Sequence, residues 1–150
     1  MFKSVETFLR PQTIAIVGAS ETGGAGWPKG IYENFAHEGF PARVYLVNPN
    51  REELWDQKVY PDFASLPERI DLAIVIIPAE AIVAVLSEAA EAGLANALIF
   101  ASRFGEGGDN VGAARATDLC QICDRTGLRI SGPNCMGAIS LPERLLFYTT

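Results

Sequence analysis

Short apolar runs rich in β-branched residues recur along this chain. They are TIAIVG (13–18), ARVYLVNP (42–49), DLAIVIIP (71–78), NALIFAS (96–102) and LRISG (128–132). Most are apolar at successive rather than alternate positions, the pattern of a strand covered on both faces. Helical stretches separate them. PKGIYENFAHEG sets Ile31 and Phe35 at i, i+4, with Gly39 as its stop. AEAIVAVLSEAAEAG begins after Pro78, which loses no hydrogen bond there. It lines up Ile82, Val85, Leu86 and Ala89 on one face and closes at Gly93. Asp109 or Asn110 caps a third helix, where Leu119, Ile122 and Cys123 share a face and Thr126-Gly127 ends it. The segment REEL…KVYPDFASLPERI reads as a short edge strand and a turn. Strand–helix alternation of this kind predicts an α/β domain: a Rossmann-like open parallel sheet of about five strands with helices on both faces. Residues 1–150 read as one domain. The closing LPERLLFYTT stays apolar to its end, as the start of a longer chain or a docked tail would.

A chain of 150 residues buries enough surface to hold a core without a disulfide or a metal. The net charge of -6 argues against a general nucleic-acid binder, which needs a basic face. No apolar run approaches the ~18 residues of a membrane span, and MFKSVETFLRP has no secretory h-region. The expected compartment is the cytoplasm. Cys120 and Cys123 form C-x-x-C inside a helix with no second pair to complete a zinc site, so they read as buried helix-face thiols.

Parallel sheets bind ligands beyond the carboxyl ends of their strands. Five glycine-, proline- or asparagine-rich segments fall there: GASETGGAG, NPNRE, PAE, SRFGEGG and GPNC. Turns alone account for any one of them. In the first, Gly18, Gly23, Gly24 and Gly26 allow backbone N–H groups to approach a phosphate at a helix N-terminus. Neither the G-x-G-x-x-G nor the P-loop spacing is present. A nicotinamide site places Asp or Glu after the second strand to grip the ribose hydroxyls. Asn48-Pro49-Asn50-Arg51 stands there instead. Arg51 alone reads as a surface arginine; with the carboxylate missing, the site suits a ribose that carries a phosphate, as in NADP or coenzyme A. Lys29, in the first turn of the first long helix, opposes the helix dipole, and a phosphate nearby would remove that conflict.

The ordered set GAS, VYLVNPN, DLAIVIIPAEAIVAVLSEAAEAG, FGEGG and GPNCMG resembles the CoA-binding domain of NDP-forming acyl-CoA synthetases. These include the ADP-forming acetyl-CoA synthetases and the succinyl-CoA synthetase α-subunit. The resemblance runs from about Leu9 to Ser140. It implies coenzyme A as ligand, with its ADP part against Gly18, Ala19, Ser20 to Gly26, Lys29 and the Asn48–Arg51 turn. Pantetheine would pass Ile77, Pro78 and the segment Ala101, Ser102, Arg103, Phe104, Glu106, and the thiol would point to Asn134 and Cys135. It also implies an ATP- or GTP-driven ligase whose acyl phosphate and phosphohistidine steps use a separate histidine domain and an ATP-grasp part. The one histidine, His37, lies in the first helix and does not match that role. This chain alone is therefore expected to bind CoA without making a thioester, and no residue is assigned a catalytic or metal-binding part. The expected partners are further synthetase domains or subunits, not nucleic acid and not a membrane. Two departures stand out: Trp27-Pro28 after the glycine loop, and Arg103 where the family often has glycine. Protein acetyltransferases and stand-alone CoA-binding proteins share the domain. The alternatives are an NADP-binding oxidoreductase domain and a non-catalytic CoA-sensing module. Cys135, with no histidine beside it, reads as the wall of a pocket rather than a nucleophile.

Overall fold

A computed structural model of the chain describes residues 5–21 and 26–148. After a single helical turn, α1 (Glu6–Leu9), the elements are β1 (Thr13–Val17), α2 (Trp27–Glu38), β2 (Arg43–Val47), β3 (Glu53–Leu54) and β4 (Gln57–Tyr60). There follow β5 (Leu72–Val75), α3 (Ala79–Glu91), β6 (Asn96–Ile99), α4 (Asn110–Thr126), β7 (Arg129–Ser131), β8 (Ile139–Ser140) and β9 (Leu145–Leu146). The main sheet has seven strands in the order β3-β4-β2-β1-β5-β6-β7. All its pairs are parallel except β3 with β4. β8 and β9 form a separate antiparallel pair.

All five expected runs form strands, but burial on both faces holds for three: β1, β5 and β6 are buried at every residue, whereas β2 is buried only at Leu46 and Val47 and β7, at the sheet edge, only partly. Along β1, Ala15 and Val17 join one core cluster and Ile14 and Ile16 the other, as strand alternation requires. The first cluster packs α3 and α4 against the sheet through Ile82, Leu86, Ala89, Leu119 and Ile122. The second packs α2 through Ile31 and Phe35, together with Leu145 and Phe147 from the chain's end. Helices therefore cover opposite faces. The order places β2 on one side of β1 and β5 on the other, so with right-handed crossovers the chain changes face at the β1/β5 boundary.

Two expectations need correction. The sheet has seven strands rather than about five, because the segment expected to give one edge strand and a turn folds as the hairpin β3–β4. Its turn residues, Trp55 and Asp56, have φ of 53 and 56, the pair of left-handed conformations a two-residue hairpin turn needs. Trp-Asp carries none of the Asn-Gly signal that normally announces such a turn, and β4 then lies inside the sheet beside β2. Cys120 is exposed, not buried: it sits one residue, about 100° around the helix, from Leu119. Of the two capping candidates for α4, Asp109 is the one used, its carboxylate accepting from Gly112 N at 2.6 Å.

Candidate functional site

The carboxyl ends of β1, β2 and β5 border a cleft of about 530 Å³, within the size range of small-ligand sites. Gly18 makes the tight passage out of β1. Its N–H donates to Val47 O at 2.9 Å, and its φ is 88. A Cβ there would stand 2.3 Å from Ile76 O and 2.7 Å from Ile77 Cγ2. Only glycine lets β1 and β5 close this end of the sheet. Ser20, Asn48, Pro49 and Asn50 form one rim, and Ile77 and Pro78 lead into α3. Val17, Val47, Phe63, Ala81 and Val85 make the interior apolar.

Asn48 ties two of these loops together. Its Nδ2 donates to Ala19 O at 2.8 Å and its Oδ1 accepts from Asn50 N at 2.9 Å. The side chain that stands where a ribose-gripping carboxylate would be is thus engaged in holding the rim. Two carboxylates border the cleft, Asp62 and Glu88. The Ser65 hydroxyl and N–H hold Asp62 below the usual carboxylate range.

Beside the cleft, α2 begins at Gly26, whose φ is 81. Among the described residues no side chain caps this end, and its first turn holds no acidic residue to offset the partial positive charge of its leading N–H groups. Trp27 packs on Phe100 at 5.4 Å, which accounts for an aromatic at that position. Lys29 pairs with Glu33 at 3.6 Å, both largely exposed, so its position near the helix start has a partner of its own. Gly23 and Gly24 lie outside the described residues.

The other expected site residues fall into three groups. Ala19 and Phe104 are core residues, 0% and 7% exposed. Arg51 is exposed just past the Pro49-Asn50 rim, among Glu52, Glu53 and Asp56, and does not line the cleft. Ala101 to Glu106, with Asn134 and Cys135, gather at the ends of β6 and β7. There Asn134 N donates to Ala101 O at 2.9 Å and Cys135 N to Ile99 O at 3.2 Å. Glu106 accepts from the N–H groups of Arg103 and Phe104 at 3.0 and 2.7 Å. Its own N–H and that of Phe104 hold its carboxyl below the ordinary range. Arg103 has φ of 79, the left-handed conformation for which glycine is the easy choice. Its guanidinium turns to Glu80 at 2.9 Å, in the first turn of α3, and Arg115 shares that carboxylate at 3.3 Å.

Gly132 is also required. With φ of 101, a Cβ would lie 2.6 Å from Ile99 O. Cys135 is half-buried, and its sulfur accepts from Gly137 N and donates to Gly137 O, each at 3.4 Å. Ser131 Oγ, 4.0 Å from the sulfur, is no base. His37 is exposed in the last turn of α2, roughly 17 Å along the helix from Gly26. Among the described residues no group of His, Cys, Asp or Glu could hold a metal, and no helix is long and apolar enough to cross a membrane.

The sequence reading missed one wall of the cleft: Pro61, Asp62 and Phe63 after β4, and Ala81, Val85 and Glu88 on α3. The first group follows a strand that was read as an outer edge. The second was legible only as helix packing, since Val85 shares the α3 face with Ile82 and Leu86.

A mostly parallel sheet with an apolar cleft at its switch point and a glycine-led helix beside it defines a Rossmann-like domain. Comparison with known proteins specifies which. The family model of the CoA binding domain matches residues 12–140, and the chain belongs to that family. Coenzyme A is accordingly its cofactor, and its relatives are ADP-forming ligases. It is 35% identical over 131 residues to the ADP-forming acetate–CoA ligase II of Archaeoglobus fulgidus, covering 87% of this chain and 19% of that one. It is 34% identical over 144 residues to the ADP-forming acetate–CoA ligase II subunit alpha of Pyrococcus furiosus, covering 94% and 30%. Among solved structures it resembles the dinucleotide-forming acetyl-coenzyme A synthetase 1 of Ca. Korarchaeum cryptofilum in complex with phosphate and ADP. The TM-score is 0.84 at 30% identity, over 95% of this chain and 30% of that one. The chain thus spans a fifth to a third of the length of these relatives.

Proposed function

We propose that this domain presents coenzyme A to the remainder of an ADP-forming acyl-CoA synthetase, and does not itself make the thioester. The observation that carries the reading is the apolar cleft between β1, β2 and β5, rimmed by Gly18, Ser20, Asn48 to Asn50, Ile77 and Pro78. In this reading the adenine enters the cleft, and the α2 N-terminus with Gly26 and Lys29 attracts the phosphates. Arg51, beyond the rim, faces the 3′-phosphate. Pantetheine runs along Ile77-Pro78 toward the Ala101–Glu106 loop and ends near Asn134 and Cys135. The reactive sulfur belongs to the ligand: among the described residues the partners of the Cys135 thiol are Gly137 and Ser131, neither of them a base. Arg103, held by Glu80, borders that path without obstructing the main cleft.

The acid-activating steps need a phosphorylatable histidine near the thiol. His37 stands at the far end of α2, so those steps fall to other domains or subunits of a cytoplasmic synthetase. Calorimetry of the domain with CoA, dephospho-CoA and NADPH tests the reading. CoA is expected to bind more tightly than dephospho-CoA. Equal affinity for both rejects the 3′-phosphate role of Arg51, and heat with NADPH but not CoA rejects the reading as a whole.

A further inference from the structure

The β8–β9 hairpin carries apolar side chains on both faces, and one face is covered far more than the other. Cross-strand partners point to the same side. Leu145, opposite Ser140, faces inward with Phe147 two residues on; they are 1% and 0% exposed. Phe147 meets Phe35 of α2 edge-on at 5.6 Å. The opposite face carries the Ile139–Leu146 pair. Ile139 is 56% exposed, Leu141 83% and Met136 56%. Three of the five large exposed apolar side chains among the described residues thus fall within six residues. Such clustering marks a surface meant for contact.

The hairpin is also fixed in place. Phe147 N donates to Ala138 O at 3.0 Å, and a Cβ on Gly137 would lie 2.2 Å from Phe147 O. It is therefore continuous with the Gly132–Cys135 turn at the ends of β6 and β7. We infer that the outer face of this hairpin, Ile139 and Leu141 with half-buried Leu146, together with exposed Met136 just before it, is the docking surface for the part of the synthetase that performs acyl transfer. The inference rests on the proposed function. Two facts select this occupant. The relatives carry 70% and 81% of their length beyond the part this chain matches, so a large protein surface is at hand. The patch also adjoins the turn where the CoA thiol is expected, so the same contact would bring the transferring group to the thiol.

Hydroxyl-radical footprinting tests this on two samples: the 150-residue chain alone, and the complete gene product with any subunits that co-purify. Met136, Ile139 and Leu141 should label several-fold more slowly in the complete protein. Val111 on α4, 63% exposed, serves as the control. Leu141→Glu in the complete protein should restore labelling of Met136 and lower ligase turnover while CoA affinity stays unchanged. Equal labelling in both samples overturns the inference, as does a gene product that purifies as this domain alone. Slow labelling in the isolated chain with dimers on sedimentation assigns the face to a second copy, and overturns it too. CoA titration of the same samples separates the claims: CoA binding without protection defeats only the docking surface, whereas no CoA binding defeats the function on which it rests.

Discussion

Replacing Gly18 by alanine tests whether the cleft is built by backbone closure. The new Cβ would stand 2.3 Å from Ile76 O and 2.7 Å from Ile77 Cγ2, and the φ of 88 would force a side-chain-bearing residue into the left-handed region. The left-handed conformation costs about 1–2 kcal/mol. Pushing a methyl into a packed site costs about 1–3 kcal/mol more. The sum is roughly 2–5 kcal/mol, a large part of the ~5–15 kcal/mol that a domain has. With a urea slope of about 2 kcal/mol/M, the unfolding midpoint should fall by about 1–2.5 M. Gly26→Ala is the internal control. Gly26 has a similar φ, 81, but no described atom within 4 Å of a Cβ, so only the backbone cost of about 1–2 kcal/mol applies. Circular dichroism during urea titration of both variants gives the comparison. If Gly18→Ala is no less stable than Gly26→Ala, the close approach of β1 and β5 does not define this end of the sheet.

Other perturbations give distinct outcomes. Gly26→Ala should weaken CoA binding by more than its stability cost explains, read by calorimetry at a temperature where the variant is folded. Val85→Arg, which sets a cation in the apolar cleft, should abolish measurable CoA binding while the circular dichroism spectrum stays native. Glu68 accepts both Nε and Nη2 of Arg43, at 2.5 and 2.7 Å, and the Tyr45 hydroxyl. Arg43 first and Tyr45 next hold its pKa down to about 2. Because the folded pKa is lowered, the stability from this cluster is full above the unfolded value near 4.5 and is lost as pH falls toward about 2. Thermal midpoints of the wild type and Glu68→Gln should therefore differ at pH 6 and converge near pH 2, and a constant gap would contradict the assignment. Phe147→Ala should cost about 3–5 kcal/mol, the range for an aromatic core truncation; a near-neutral result in urea unfolding would show that the terminal hairpin is not docked.

The sequence disclosed what depends on continuous apolar runs and on helix punctuation. β1, β5 and β6 read correctly because burial on both faces leaves no polar alternation to confuse them. Gly39 and Gly127 ended their helices as expected, both in the left-handed conformation. The β3–β4 hairpin was hidden because Trp55 and Asp56 take left-handed conformations through tertiary packing: Trp55 stacks on Tyr32 at 5.1 Å. At the site, Gly18, Asn48 and Pro78 were legible as strand-end residues. Ala19 and Phe104 were not separable from rim residues, because alternation at a strand end decides which side chain turns inward and a glycine-rich loop obscures that alternation. The walls contributed by Phe63 and Val85 emerge only once the sheet order sets β4 beside β2 and α3 over the switch point.

Calorimetric titration of the 150-residue chain with coenzyme A, repeated on Val85→Arg, tests the central claim most directly. The account predicts one CoA per chain for the wild type and none for the variant, with both proteins folded. Undiminished CoA binding by Val85→Arg would place the ligand outside the β1/β2/β5 cleft, and no binding by the wild type at millimolar CoA would contradict the account itself.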